Sequence, residues 1–191
     1  MLRAIRGAFA FLTRLPVGGG EAAWDAFRTT PVTFVLVGYV VGAVAAVPVA
    51  LPLPLPSAVT GYLVALYLVT GVTHADGLAD CADAAAVHGT PDDRRAALKD
   101  ARVGVGGALA VGLSLVALAF AGLGAAGAGP RVALRLVLAA EVSAKVGMAA
   151  LVGLGASGHE GLGSAVVDEA RGASLLPVVV AAVPVVVAAP R

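Results

Sequence analysis

No charged side chain occurs from Thr29 through Thr73. One bilayer crossing takes about 20 consecutive apolar residues, so this run predicts two spans, at 31–50 and 57–73. Between them, VPVALPLPLPS carries Pro48, Pro52, Pro54 and Pro56. Proline removes a backbone donor and breaks an undistorted helix, so a turn is predicted there. Further apolar stretches predict spans at 103–125, 131–155 and 173–189, the last interrupted by Pro177 and Pro184. GAAGAGP makes the turn between the third and fourth. The polar positions gather elsewhere: in residues 1–17, 74–102 and 156–172. The first of these reads as an amphipathic segment lying on a membrane surface. In VGGGEAAWDAF, a predicted loop, Trp24 is an expected interface anchor.

The expected fold class is therefore all-α, a polytopic transmembrane helical bundle of about five spans, in a single membrane domain over 1–191. The alternating strands of an outer-membrane barrel are missing. Composition agrees: 59% of the residues are hydrophobic and 13% charged, against about 25% charged in soluble domains. The net charge of +1 gives no basis for nucleic-acid binding. A single cysteine, Cys81, rules out a disulfide framework. The basic start of the chain and a short apolar run interrupted by Arg14 predict no cleaved leader. Arg3, Arg6, Arg14, Arg28, Arg94, Arg95, Lys99, Arg102 and Arg171 all fall in or beside the three polar segments. By the positive-inside rule, the N-terminus and both polar loops should be cytoplasmic and the protein should sit in the cell membrane.

The densest chemistry is VTHADGLADCADAAAVHG, residues 72–89. Asp76, Asp80 and Asp83 are spaced four and three apart. At about 100° per residue they fall within roughly 60° of one another on a helix. Carboxylates at a membrane edge are costly and mark function by default. This spacing suits Mg²⁺ bound to a diphosphate, because Mg²⁺ takes one or two carboxylates plus phosphate oxygens and water. The competing reading is a solvated helix face. His74 lies about 160° from that face on a continuous helix. It reaches the site only if the helix begins after it, and is otherwise a packed or interfacial histidine.

LKDARVGVGG, residues 98–107, is the second cluster. Lys99 and Arg102 at this spacing can clamp phosphate oxygens, or serve only as a basic membrane flank. Gly104, Gly106 and Gly107 permit close approach of a backbone or a neighbouring helix. Glu141 and Lys145 stand at i, i+4 inside the fourth span, as a structural pair or a substrate contact. His159 and Glu160 mark only a loop.

FLTRLPV, HADGLADCADA, KDARVGVGGALA and EGLG occur in this order. Together they resemble the cobalamin synthase family, the adenosylcobinamide-GDP ribazoletransferases, over nearly the whole chain. Ala84 and Ala101 stand where that family commonly has Gly and Ser. Its chains usually continue into further spans, so this one is expected to be short at its C-terminus. The resemblance implies a Mg²⁺-dependent membrane phosphotransferase. It would join adenosylcobinamide-GDP to α-ribazole, or its 5′-phosphate, and release GMP. On that reading Asp76, Asp80 and Asp83 are the metal ligands and Asp83 is the candidate base, with Asp100 the runner-up. Lys99, Arg102, His74 and Arg14 are the substrate contacts. Two alternatives stand beside it: another Mg²⁺-dependent membrane phosphotransferase, and a small cation transporter subunit. A transporter should spread polar groups over the midplane of several spans. Here the carboxylates gather on one side.

Overall fold

Two glycines one helical turn apart, Gly38 and Gly42, set the main helix crossing. They belong to α3, Val32–Ala50, and face α8, Pro130–Leu154. A Cβ on Gly38 would stand 3.0 Å from Lys145 Cγ and 3.1 Å from the Glu141 carbonyl. One on Gly42 would stand 3.1 Å from Leu138 Cα. In lipid, helices associate by close packing rather than by expulsion of water, and small residues allow it. Many of the buried residues on these two helices are small or β-branched: Val41, Ala45, Ala46, Ala133, Val142 and Ala149.

The computed structural model describes residues 1–158, 161–170 and 172–188. His159, Glu160 and Arg171 lie outside the described residues. Among the described residues every regular element is a helix. Three of them, α3, α7 (Val105–Gly127) and α8, are long and apolar enough to cross a bilayer. A fourth crossing is possible only for α4 and α5 taken together, Leu55–Thr70 and Thr73–Ala86, which are bent by 91° at a short break. The helical bundle stands as expected, with three or four candidate spans. Of the two differences from about five, one is α4. Its 16 residues measure about 24 Å, less than a hydrocarbon core of about 30 Å. The other is the stretch expected as a fifth span, which holds α10, Leu176–Ala188, of 13 residues.

The prolines act more locally than the sequence suggests. Pro48 sits inside the last turn of α3. Pro56 sits in the first turn of α4, where a missing N–H costs nothing. Only residues 51–54 form the connection.

The N-terminal segment is a helical hairpin. Its helices are α1, Leu2–Leu12, and α2, Glu21–Arg28. Gly7 of α1 lies against the Ala23 carbonyl, leaving no room for a side chain. Phe11, Trp24, Phe27 and Phe34 form an aromatic cluster with centroid separations of 5.2–5.8 Å. Trp24 is thus a half-buried packing residue, with the Arg28 guanidinium 5.9 Å from its ring centroid. Arg28 also pairs with Asp25 at 2.6 Å and with Glu169 at 3.2 Å. Glu169 belongs to α9, Leu162–Ala170, a helix within the expected polar loop 156–172.

The 74–102 segment is likewise helical for most of its length. It contains α5 and α6, Pro91–Ala97. α6 opens on a capping box: Thr90 Oγ1 accepts from the Asp93 N–H, and the Asp93 carboxylate accepts from the Thr90 N–H. The Thr90 hydroxyl also donates to the Asp93 carboxylate at 2.8 Å, and this bond, with the one from the Thr90 N–H, holds the Asp93 carboxyl below the usual carboxylate range.

Candidate functional site

The site is built on the bend between α4 and α5. Gly71 closes α4, its N–H donating to the Tyr67 carbonyl at 2.8 Å. Its φ of +72° lies where side chains are strained, and glycine adopts it freely. The chain then turns sharply, and α5 starts at Thr73. Arg14 lies across this bend. Its N–H donates to the Val69 carbonyl at 2.7 Å, and its side chain covers Gly71, where an added Cβ would meet Arg14 Cδ at 2.8 Å. FLTRLPV, far away in sequence, therefore lies against the bend from which HADGLAD sets out.

On α5, Asp76 is exposed and Asp80 is half-buried. Neither has a hydrogen-bond or ion-pair partner among the described residues. Asp83 differs. Its Oδ2 accepts from the Gly104 N–H at 2.7 Å and its Oδ1 from the Gly107 N–H at 2.8 Å. Gly104 is the N-cap of α7 and has no capping side chain of its own. The first amides of any helix lack internal partners and carry partial positive charge. A carboxylate borrowed from α5 satisfies two of them. The glycines follow from this contact, because a Cβ on Gly104 or Gly107 would collide with the Asp83 carboxylate.

The three aspartates were expected as one ligand set. Among the described residues, no three His, Cys, Asp or Glu side chains are gathered closely enough to hold an ion together. The physical reason is that Asp83 is drawn to α7. The remaining donor chemistry fits Mg²⁺: Asp76 and Asp80 are hard oxygen ligands one turn apart, and two carboxylates suffice when phosphate and water complete the shell.

The KDAR segment leads directly into the head of α7. Lys99 is exposed and has no ion-pair partner among the described residues. Asp100 and Arg102 hold each other. Arg102 Nε and Nη2 donate to the Asp100 carboxylate at 3.1 and 2.8 Å, and the Arg102 N–H adds a third bond at 3.0 Å. The Arg102 bonds hold the Asp100 carboxyl below its usual range. That weakens it as a proton acceptor.

His74 is placed on the other side of α5 from the aspartates. It lines a cavity of about 320 Å³ beneath the bend, with Thr70, Ser114, Glu141 and Lys145. Lys145 is buried and its Nζ stands 4.0 Å from Glu141 Oε2. The sequence left His74 open between site and packing. It showed the Glu141–Lys145 spacing, but nothing in it tied that pair to His74. The one available signal was that both charges lie at membrane depth.

The model of the family described as "Cobalamin-5-phosphate synthase" matches residues 4–190 of this chain. A protein of Haloquadratum walsbyi called adenosylcobinamide-GDP ribazoletransferase is 49% identical over 195 residues, covering 100% of this chain and 77% of the relative. One of the same name from Halorubrum lacusprofundi is 47% identical, covering 96% and 75%. Another, from Methanocella arvoryzae, is 33% identical, covering 95% and 69%. No solved structure matches.

Proposed function

The chain belongs to the cobalamin-5-phosphate synthase family, and on that premise we propose that it is an adenosylcobinamide-GDP ribazoletransferase. It transfers the adenosylcobinamide-phosphate part of adenosylcobinamide-GDP to α-ribazole or its 5′-phosphate. The observation that carries this is identity of 49% over the whole chain with a relative of that name. The two carboxylates of Asp76 and Asp80, free among the described residues on the helix that starts after the Arg14-covered bend and is tied through Asp83 to the head of α7, agree with it.

In the reaction a ribose hydroxyl oxygen bonds to the phosphorus nearest cobinamide. The bridging P–O bond breaks, and GMP leaves with the electron pair. Asp76 and Asp80 would hold Mg²⁺, which supplies neutralisation of the diphosphate charge. Arg14 and Lys99 are the cations open to phosphate oxygens. Arg102 can join them by exchanging its bonds to Asp100. The proton of the attacking hydroxyl passes to Asp83. Its two oxygens each accept one amide bond yet retain a further lone pair. Asp100 is the runner-up, its carboxylate engaged by three bonds from Arg102.

The protein works in the cell membrane, with its N-terminus, α5, α6 and α9 on the cytoplasmic side. The distribution of Arg and Lys supports this placement. The test is to incubate membranes containing the protein with adenosylcobinamide-GDP, α-ribazole and Mg²⁺. GMP and cobalamin should appear together, and chelation should abolish both. GMP release without cobalamin would mean hydrolysis, and would overturn the reading.

A further inference from the structure

The cavity beneath the bend is lined by a cation that makes no hydrogen bond among the described residues. Lys145 is 4% exposed. Among the described residues its ammonium, with three donors, makes no hydrogen bond. The nearest carboxylate oxygen, of Glu141, is at 4.0 Å, beyond hydrogen-bond reach. Its Nζ, open to the cavity, keeps donors to spare for a ligand. Both residues line the cavity, which is otherwise walled by Leu63, Leu66, Tyr67, Leu78, Leu115 and Leu118. Its volume, about 320 Å³, lies at the lower end of the range for small-molecule sites.

We propose that this cavity seats the uncharged acceptor nucleoside, its flat aromatic base against the leucines, one ribose hydroxyl bridging Lys145 and Glu141, and the attacking hydroxyl turned outward past the bend toward α5. The inference rests on the transferase reading given above. Three chemical features and the cavity's position carry it. The Lys145–Glu141 pair is neutral overall, so a phosphate placed there would meet the glutamate's repulsion as well as the lysine's attraction. A hydroxyl both donates and accepts, and so matches an ammonium and a carboxylate standing too far apart to bond each other. The apolar walls suit an aromatic body. Position agrees as well: the lining includes Thr70, Gly71, His74 and Ala75, and Asp76 is the next residue. Arg14 covers Gly71 at the same bend. A nucleoside seated here has its outer end at the place where the aspartate helix begins. An acyl chain would leave both charges unsatisfied.

Two variants test this in the full chain. Ser114→Leu adds bulk at the cavity wall, at a half-buried position outside the phosphate-binding residues. Lys145→Gln removes the ammonium but keeps a donor. Turnover is measured against α-ribazole and against adenosylcobinamide-GDP separately. Equilibrium binding of α-ribazole to detergent-purified protein is measured without the donor. In both variants KM for α-ribazole should rise about tenfold or more, with KM for adenosylcobinamide-GDP within about twofold of the parent. Thermal unfolding of Ser114→Leu identifies a variant that fails to fold. A folded Ser114→Leu protein that keeps the parent's KM for α-ribazole overturns the cavity assignment and leaves the transferase reading intact. So does a rise confined to KM for adenosylcobinamide-GDP, which would place the donor there. A parent that binds α-ribazole through Ser114 and Lys145 but makes no cobalamin upholds the site and sinks the reaction. A parent that does neither overturns both.

Discussion

Asp76 and Asp83 are seven residues apart on one helix, yet they face different tasks. Asp76 is exposed and unpaired among the described residues, whereas Asp83 is bound to two amides of α7. Asp76→Asn keeps the size and removes the charge. Turnover should fall by about two orders of magnitude or more, with normal membrane insertion. Near-parental turnover at limiting Mg²⁺ would exclude the metal role. Asp83→Asn should act twice. An amide nitrogen cannot accept the N–H it replaces an acceptor for, so the cap weakens by about 1 kcal/mol. The chemical step should slow by about 10–150-fold while adenosylcobinamide-GDP still binds. Lowered melting with unchanged kcat would make Asp83 a cap and nothing more. The spacing of the aspartates was legible in the sequence. The partners of Asp83 were not, because they lie 21 and 24 residues onward. The only trace was a helix start, VGVGG, lacking a capping residue of its own. Arg14 was likewise visible only as part of a motif, since its place over Gly71 depends on a contact made through α4.

Helices declare themselves where composition is uniform and hide where it is not. The apolar runs of α3, α7 and α8 were readable because each is long enough to cross a bilayer alone. The break at Gly71 was not, since the uncharged run continues through Thr73 and gives no sign of a turn at a glycine with positive φ. The spacing of the aspartates announces α5 as a helix, but α6 and α9 are hidden in polar loops, because dense charge and glycine leave no apolar periodicity to read. The α3–α8 crossing offers the sharpest test at this scale. A side chain at Gly38 meets backbone atoms of α8, the Glu141 carbonyl and Val142 Cα, both at 3.1 Å. Backbone cannot swing aside as a side-chain tip can. Gly38→Val should therefore destabilise the protein by about 1–3 kcal/mol, seen as a lower midpoint of thermal unfolding in detergent. A midpoint matching the parent's would show that the crossing is loose enough to relax.

Across the whole molecule the polar helices should share one compartment. Single cysteines report this in a Cys81→Ser background, needed because Cys81 is exposed. Gly20→Cys, His88→Cys and Gly163→Cys should resist a membrane-impermeant thiol reagent added outside intact cells, and Ala128→Cys should react. Labelling of His88→Cys but not Ala128→Cys would invert the arrangement. The 91° angle between α4 and α5 has a consequence for reach. A helix continuing straight would have set its carboxylates at increasing depths, one below another. Turned crosswise to α4, it sets them side by side, Asp76 and Asp80 about 6 Å apart along the axis. Such a site works as a bench rather than a tunnel. On the proposed reading, only the phosphate part of the donor would have to be laid on it, and the bulky remainder would overhang the edge. Turnover should then be indifferent to a group carried on that remainder. Donors with and without the adenosyl group should give kcat/KM values within about threefold of each other, and a loss of a hundredfold would mean that the remainder is gripped after all.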